Sequence, residues 1–360
     1  MNDNYCGEQT PMRKARDTAF EAEMQATSGT RSWLAQGAEL LSEGKKAVSL
    51  LRQMVKVASN DGKPFAPVHY DYDSLDNRDT QAVERLLSMV ADPMQRYFKA
   101  DVRGLEHATK GPVLFVGNHN GGAWSPEIFL FGAALYRRYG LAALPYGLAH
   151  ETVAQIPPLA RILIPVGAVR ASHENAARIF TNGQNVLVYP GGDEEALRPS
   201  RQRDEIQFGG RRGYIRLALR HGVPIVPVVT FGAHDVFVVL DDGRWLARRL
   251  GLHKSARIKV FPTILSVPWG VTMGPVMPFI PLPARIRIQV LQPIEFSRKG
   301  EQAAQDSSYV EACDRQVRGA MQATLSAMAL RLRQDPVPPS LLPPALPEND
   351  QSRSASRVAG

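Results

Sequence analysis

Three short apolar runs most constrain what this chain can become: Val113–Val116, Asn185–Tyr189 and Ile225–Thr230. Each is continuous or nearly so. None has the apolar/polar alternation of a strand with one wet face, so they read as strands buried on both faces. Such a sheet needs cover on each side, and the intervening segments supply it. Helical patterns run over about Pro126–Tyr139, Glu174–Thr181 and Gly213–His221. Ser172 is placed to cap the second, and Gly183 and Gly222 stand just past two helix ends, where a left-handed residue is wanted. A fourth strand is expected over Arg285–Leu291. Strands alternating with helices indicate an α/β fold, with a mostly parallel or mixed sheet flanked by helices.

Extra helices are expected at both ends. Leu34, Leu41, Val48, Leu51 and Val55 lie near one face of a helix over Trp33–Val57, which the run Asn60-Asp61-Gly62-Lys63-Pro64 breaks. A second runs over Thr80–Ala91, before Pro93. Ser308-Tyr309-Val310-Glu311 has the form of a capping box. After it, Val310, Cys313, Val317, Met321, Leu325, Met328 and Leu332 recur at helical spacing. The expected organisation is a disordered N-terminus (1–30), a helical region (31–96), the α/β domain (97–300), a C-terminal helix (301–334) and a disordered Pro-rich tail (335–360).

Val260–Ala284 carries no charged residue and is long enough to cross a bilayer. Its prolines (262, 268, 275, 278, 281 and 283) exclude a spanning helix, and irregular backbone cannot face lipid hydrocarbon. The segment is either a packed apolar loop or a surface that touches a membrane interface or lines an acyl tunnel. The helix near 33–57 could also touch a membrane, or pack on the core.

The net charge is +8. It favours polyanions: nucleic acid, anionic lipid or a phosphorylated ligand. One basic group lies between Arg198 and Arg220, a second at Arg248, Arg249, Lys254, Arg257 and Lys259. No zinc-finger or RNP-type signature accompanies them, so no nucleic-acid partner is expected. The two cysteines, Cys6 and Cys313, fit neither a disulfide framework nor a zinc site. The first ten residues lack a signal-peptide layout, so the expected compartment is the cytoplasm.

Three segments sit where strands should end, the place where ligands gather in α/β sheets. The first is Asn118-His119-Asn120-Gly121-Gly122, with Glu127 eight residues after the histidine. A histidine there can cap the next helix or act as a base, its other nitrogen oriented by a carboxylate. The second is Tyr189-Pro190-Gly191-Gly192-Asp193-Glu194-Glu195, whose paired glycines can present N–H groups to an anion or simply turn the chain. The third is Gly222-Val223-Pro224-Ile225-Val226-Pro227-Val228, read as structural, with Pro227 suggesting an edge strand or a bulge. His234 and Asp235 follow and either reach the same pocket or begin a loop. No histidine pair has metal-ligand spacing, and no metal is expected. Neither a serine-hydrolase elbow nor a Walker loop is present.

Taken in order, these segments resemble the lysophospholipid/glycerolipid acyltransferase superfamily over roughly Tyr97 to Pro293. The resemblance rests on "RGLEHATKGPVLFVGNHNGG", "IPVGAVRAS" with Gly167 and Arg170, "VLVYPGGDEE" and "GVPIVPV". Two departures matter. The family's first block is His, four residues, then Asp; here Trp124 holds that position and Glu127 is the next acid. The third block lacks the usual Phe-Pro-Glu-Gly-Thr-Arg form and is similar to that of the monoacylglycerol/diacylglycerol acyltransferase branch. The resemblance implies a peripheral-membrane enzyme of lipid metabolism. It would move a fatty acyl chain from acyl-CoA, or from an acyl-carrier protein, to a lipid hydroxyl, with acyl-CoA a co-substrate and no cofactor. His119 would be the base and Glu127 its orienting acid. Asn118, Gly121, Gly122, Gly167, Arg170, Pro190, Gly191, Gly192, Glu194, Arg198 and Arg211 would line the substrates. Other acceptors (a lysophospholipid, a long-chain alcohol, a glycolipid) and a non-catalytic lipid-binding relative are the alternatives.

Overall fold

The computed structural model describes residues 42–59, 69–108, 111–122, 124–250, 259–274 and 279–334. The expected disordered ends, the first turns of the 33–57 helix, its break at 60–64, and Lys254 and Arg257 lie outside the described residues. The chain divides into two compact units, Ser42–Ala329 and a second made of residues 1–41 and 330–360. Of the second, only residues 330–334, the end of the last helix, are described.

The strands are β1 (Asp101–Arg103), β2 (Leu114–Gly117), β3 (Tyr146–Ala149), β4 (Ala168–Arg170), β5 (Val186–Val188), β6 (Ile225–Phe231), β7 (Val238–Asp241), β8 (Thr263–Ser266), β9 (Gly270–Met273) and β10 (Arg287–Val290). The helices are α1 (residues 42–58), α2 (Thr80–Leu86), α3 (Asp92–Tyr97), α4 (Pro126–Tyr139), α5 (Thr152–Gln155), α6 (Pro157–Leu163), α7 (His173–Thr181), α8 (Gly192–Ala196), α9 (Gly213–His221), α10 (Arg244–Arg249), α11 (Glu301–Gln305) and α12 (Ser307–Gln334). Seven strands form one mixed sheet in the order β1-β10-β6-β2-β5-β3-β4. From β6 to β4 all neighbours are parallel; β10 is antiparallel to β6 and carries β1 beside it. The sheet is therefore the mixed one expected, with helices around it. β7, β8 and β9 form a separate antiparallel sheet.

Central strands β2 and β6 are buried at every position, as their unbroken apolar runs require. Side chains from the covering helices close over them: the Phe115 and Phe131 rings meet edge to face at 5.2 Å between centroids. Each such ring contributes on the order of 2–3 kcal/mol by leaving water. In α1, Ala47 and Leu50 are buried in the same core, which decides the open question about this helix in favour of packing.

Four expectations are corrected. Pro227 is not at an edge: β6 lies between β10 and β2. The β10 ladder ends at Val228–Val290, and the Pro227 carbonyl accepts the Leu291 N–H at 2.9 Å. Pairing resumes at Ile225–Ile294, one residue out of register, so the other alternative, a bulge, is what accommodates the missing donor. The helix from Thr80 does not stop before Pro93. A π turn, Leu87–Ala91, leads into α3, where Pro93 sits in the first turn and needs no donor. At the last helix the cap is Asp306, not Ser308: its Oδ1 accepts the Tyr309 N–H at 3.0 Å. Finally, Val260–Ala284 is not all loop: among its described residues it supplies β8 and β9, with Pro262 and Pro268 outside both strands.

Candidate active site

β6, β2 and β5 are parallel neighbours, so their carboxyl ends present three loops to one place. Two of them are the first two segments singled out in the sequence. The third segment, Gly222–Val228, instead enters β6 at its amino end, and the loop at the carboxyl end of β6 is the one that carries His234 and Asp235. His119 follows β2, and its Nδ1 lies 2.7 Å from Glu127 Oε1. Glu127 is buried in the first turn of α4, 1% exposed, where the helix dipole favours an anion. The same oxygen accepts the Asn120 N–H at 2.9 Å. An ionised carboxylate can only accept, so Nδ1 carries the proton and Nε2 keeps its lone pair. The His119 side chain is 19% exposed, and among the described residues nothing hydrogen-bonds Nε2. The extra residues between histidine and acid are taken up before α4. Gly121 and Gly122 have φ of +70° and +53°, and Ser125, at φ +38°, donates its hydroxyl to the Gly122 carbonyl.

The second loop supports the first from below. The Tyr189 ring lies 5.0 Å from the imidazole, centroid to centroid. Burial, with the charge of Glu127, pushes its phenol well up, so it stays neutral. Glu195, fully buried, accepts the His119 N–H at 2.9 Å and the Gln207 N–H at 3.0 Å. Gly191 is required here: a Cβ on it would stand 2.2 Å from Glu195 Oε2. Arg198, also fully buried, donates to the carbonyls of His119, Glu195, Gln202 and Arg203 and to Asn120 Oδ1. That engages all five guanidinium N–H groups. Burial pushes the Glu195 carboxyl up to about 7, opposed by the Arg198 charge and the two N–H donors. His234, from the third loop, lies beneath them with Nε2 2.8 Å from the Arg198 carbonyl. Burial, then the Arg198 charge, lowers it to about 3, so it is a neutral donor to that carbonyl rather than a second base.

Several residues expected to line substrates have other work. The Asn118 side chain pairs with both backbone groups of Thr230, at 2.9 and 2.8 Å, and ties the loop to β6. Arg198 is inside the protein and cannot meet a ligand's phosphates. Arg211 holds the Pro190 and Gly191 carbonyls and pairs with Glu194, which Lys259 also reaches at 3.1 Å. The Gly192 N–H donates to the Tyr189 carbonyl, which removes it as an oxyanion donor. Gly167 and Arg170 flank or end β4, three strands and about 14 Å along the sheet from β2. Arg170 ends β4 at the carboxyl rim, Gly167 precedes the strand at its amino end, and among the described residues neither contacts His119. Arg170 pairs there with Asp73 and Glu151. Asn120, Tyr189 and Glu195 are the members of the cluster that sequence reasoning did not select. All three lie in the quoted motifs; which of the acids 193–195 turns inward is set by burial alone.

The family model for diacylglycerol acyltransferase matches residues 139–313. An uncharacterised protein of Mycobacterium tuberculosis is 27% identical over 244 residues, 66% of this chain and 65% of its own length. The chain thus spans just under two thirds of that relative. This chain is also 27% identical to human diacylglycerol O-acyltransferase 2 over 96 residues, 25% of each protein. With diacylglycerol O-acyltransferase 1 of Eremothecium gossypii it shares 34% identity over 90 residues, 25% of this chain and 20% of that one. These similarities support an acyltransferase superfamily, with a diacylglycerol acyltransferase-like branch. A solved 1-acyl-sn-glycerophosphate acyltransferase from Thermotoga maritima is 18% identical, covers 68% of this chain and 82% of its own, and has a TM-score of 0.39. The family match begins after Glu127, so the pairing of His119 with Glu127 stands on geometry.

Proposed function

We propose that this protein is an O-acyltransferase that moves a fatty acyl chain from acyl-CoA to the hydroxyl of a glycerolipid such as a mono- or diacylglycerol. The observation that carries the reading is the 2.7 Å contact of His119 Nδ1 with buried Glu127, which leaves Nε2 unengaged on a part-exposed side chain. Nε2 takes the proton of the acceptor hydroxyl as its oxygen attacks the thioester carbonyl. Glu127 steadies the imidazolium that forms. N–H groups of the Gly121-Gly122 turn stabilise the oxyanion. The tetrahedral intermediate then expels the thiolate, which recovers the proton from His119. Of the arginines expected to line the substrates, Arg170 and Arg211 are part-exposed and would meet the donor's phosphates; an acyl-carrier protein is the alternative donor. Asp193, the exposed acid of the second loop, suits a neutral acceptor better than one carrying a phosphate, which it would repel.

The test is thiol release from a long-chain acyl-CoA by purified protein. Monoacylglycerol, diacylglycerol, lysophosphatidic acid and a fatty alcohol serve as acceptors. Release should require an acceptor and fall by about 10²–10⁴ in His119→Ala. Release that ignores the substitution, or none with any acceptor, would refute the reading.

A further inference from the structure

The β7–β9 sheet carries large apolar side chains on both faces. Its inner face, Val239 and Ile264, is buried. Across the ladder, Leu265 of β8 pairs with Val271 of β9, and Met273 pairs with Thr263. Leu265, Val271 and Met273 all point outward, the last two 64% and 58% exposed. Val267 and the bulge residue Leu240 extend the same exposed surface. An antiparallel sheet with one wet face normally alternates apolar with polar residues, because exposed apolar area is unfavourable in water. Here the alternation is missing on the side that faces solvent.

Two exposed tryptophans adjoin these strands in the chain: Trp269 between β8 and β9, and Trp245, 63% exposed, in α10, which follows β7 after two residues. Tryptophan, apolar with one polar edge, is suited to the boundary between lipid and water. Beside Trp245 stand exposed Arg248 and Arg249, and among the described residues neither has a carboxylate within ion-pair distance. The nearby acids are occupied: Asp242 pairs with Arg244, and Asp241 accepts the Gly243 N–H. An apolar face with an aromatic edge and uncompensated cations matches one surface in chemistry, a bilayer with anionic headgroups.

We infer that the outer face of β7–β9, with Trp245, Arg248 and Arg249, docks on an anionic lipid surface. The face is joined to the candidate site. β7 continues from Phe237, whose ring stacks on Phe279 at 5.1 Å and would stand 2.8 Å from a Cβ on Gly122. The Val239 N–H donates to Ser200 Oγ at 2.9 Å, just beyond Arg198. A docked protein would thus open its site close to the phase that holds a lipid acceptor. That purpose rests on the acyl-transfer reading; the docking itself does not.

The test is flotation of the full chain with vesicles of phosphatidylcholine alone, or mixed equally with phosphatidylglycerol. Native protein should float with the mixed vesicles and much less with the neutral ones, and salt should weaken the binding. Arg248→Gln/Arg249→Gln should cut binding to mixed vesicles by tenfold or more. Val271→Asp/Met273→Asp should cut it by at least as much, with the thermal midpoint unchanged because both side chains are exposed. His119→Ala, inert if the acyl-transfer reading is right, should float like the native chain, so failure of that reading leaves this result standing. Native protein that does not float, or apolar-face variants that float equally well, would overturn the proposal. So would a native dimer that the same aspartates dissociate, which would assign the face to a second copy.

Discussion

At the scale of single residues, the site depends on which polar groups can leave water together. Glu127→Gln keeps an oxygen for His119 Nδ1 and the Asn120 N–H, but removes the charge that steadies the imidazolium. We expect turnover in the thiol-release assay to fall by about 10²–10⁴, with the thermal midpoint little changed. Glu195 yields a pH dependence. Burial raises its carboxyl from 4.5 to about 7 in the folded state, so the folded chain binds that proton more tightly than the unfolded one. The stability it contributes is fully present below pH 4.5 and is lost as pH rises through about 7, a change of about 3 kcal/mol. Glu195→Gln accepts the same two N–H groups and cannot ionise. In urea unfolding at pH 5 and pH 8, the native chain should lose stability relative to this variant as pH rises; parallel behaviour would show that Glu195 does not titrate there. The motifs pointed to this neighbourhood, yet placed Asn118 and Arg198 against substrate when both face inward. A polar residue in a motif looks the same whether it binds a ligand or a loop.

At the scale of elements, periodicity and end signals were informative where one element decides its own fate. α9 spans Gly213–His221 as expected, with Gly222 at φ +67° closing it. α7 begins at Ser172, whose hydroxyl accepts the Asn175 N–H at 3.1 Å. Ser172→Ala should lower stability by about 1 kcal/mol, read by chemical denaturation. The short strands β1, β3, β4 and β7–β9 were not legible. β1 and β4 are three residues long, too few for a period, and they exist because a neighbour pairs with them. In β8 and β9 the flanking prolines suggested irregular chain, although each falls where a strand ends.

At the scale of the whole molecule, the C-terminal helix ties distant parts together. Asp314 Oδ1 accepts from the Tyr214 hydroxyl at 2.8 Å, and Gln322 bonds the backbone of Asp204 and Ile206, next to the Arg203 carbonyl that Arg198 holds. Val310, Val317, Met321 and Leu325 are wholly buried along it. Leu325→Ala should cost about 2–5 kcal/mol in a single unfolding transition. A separate early transition for the helix would contradict the compact unit Ser42–Ala329. The sequence alone determined the α/β class, the central strands, the main helices and the two loops that follow β2 and β5. Those follow from which side chains can tolerate water along a local repeat. Only the tertiary structure decided that β6, β2 and β5 are neighbours, that Glu127 reaches His119 across a longer turn, and that Glu195 and Arg198 face inward. Such facts depend on strand order and on burial shared by residues far apart in the chain, and no local repeat carries them.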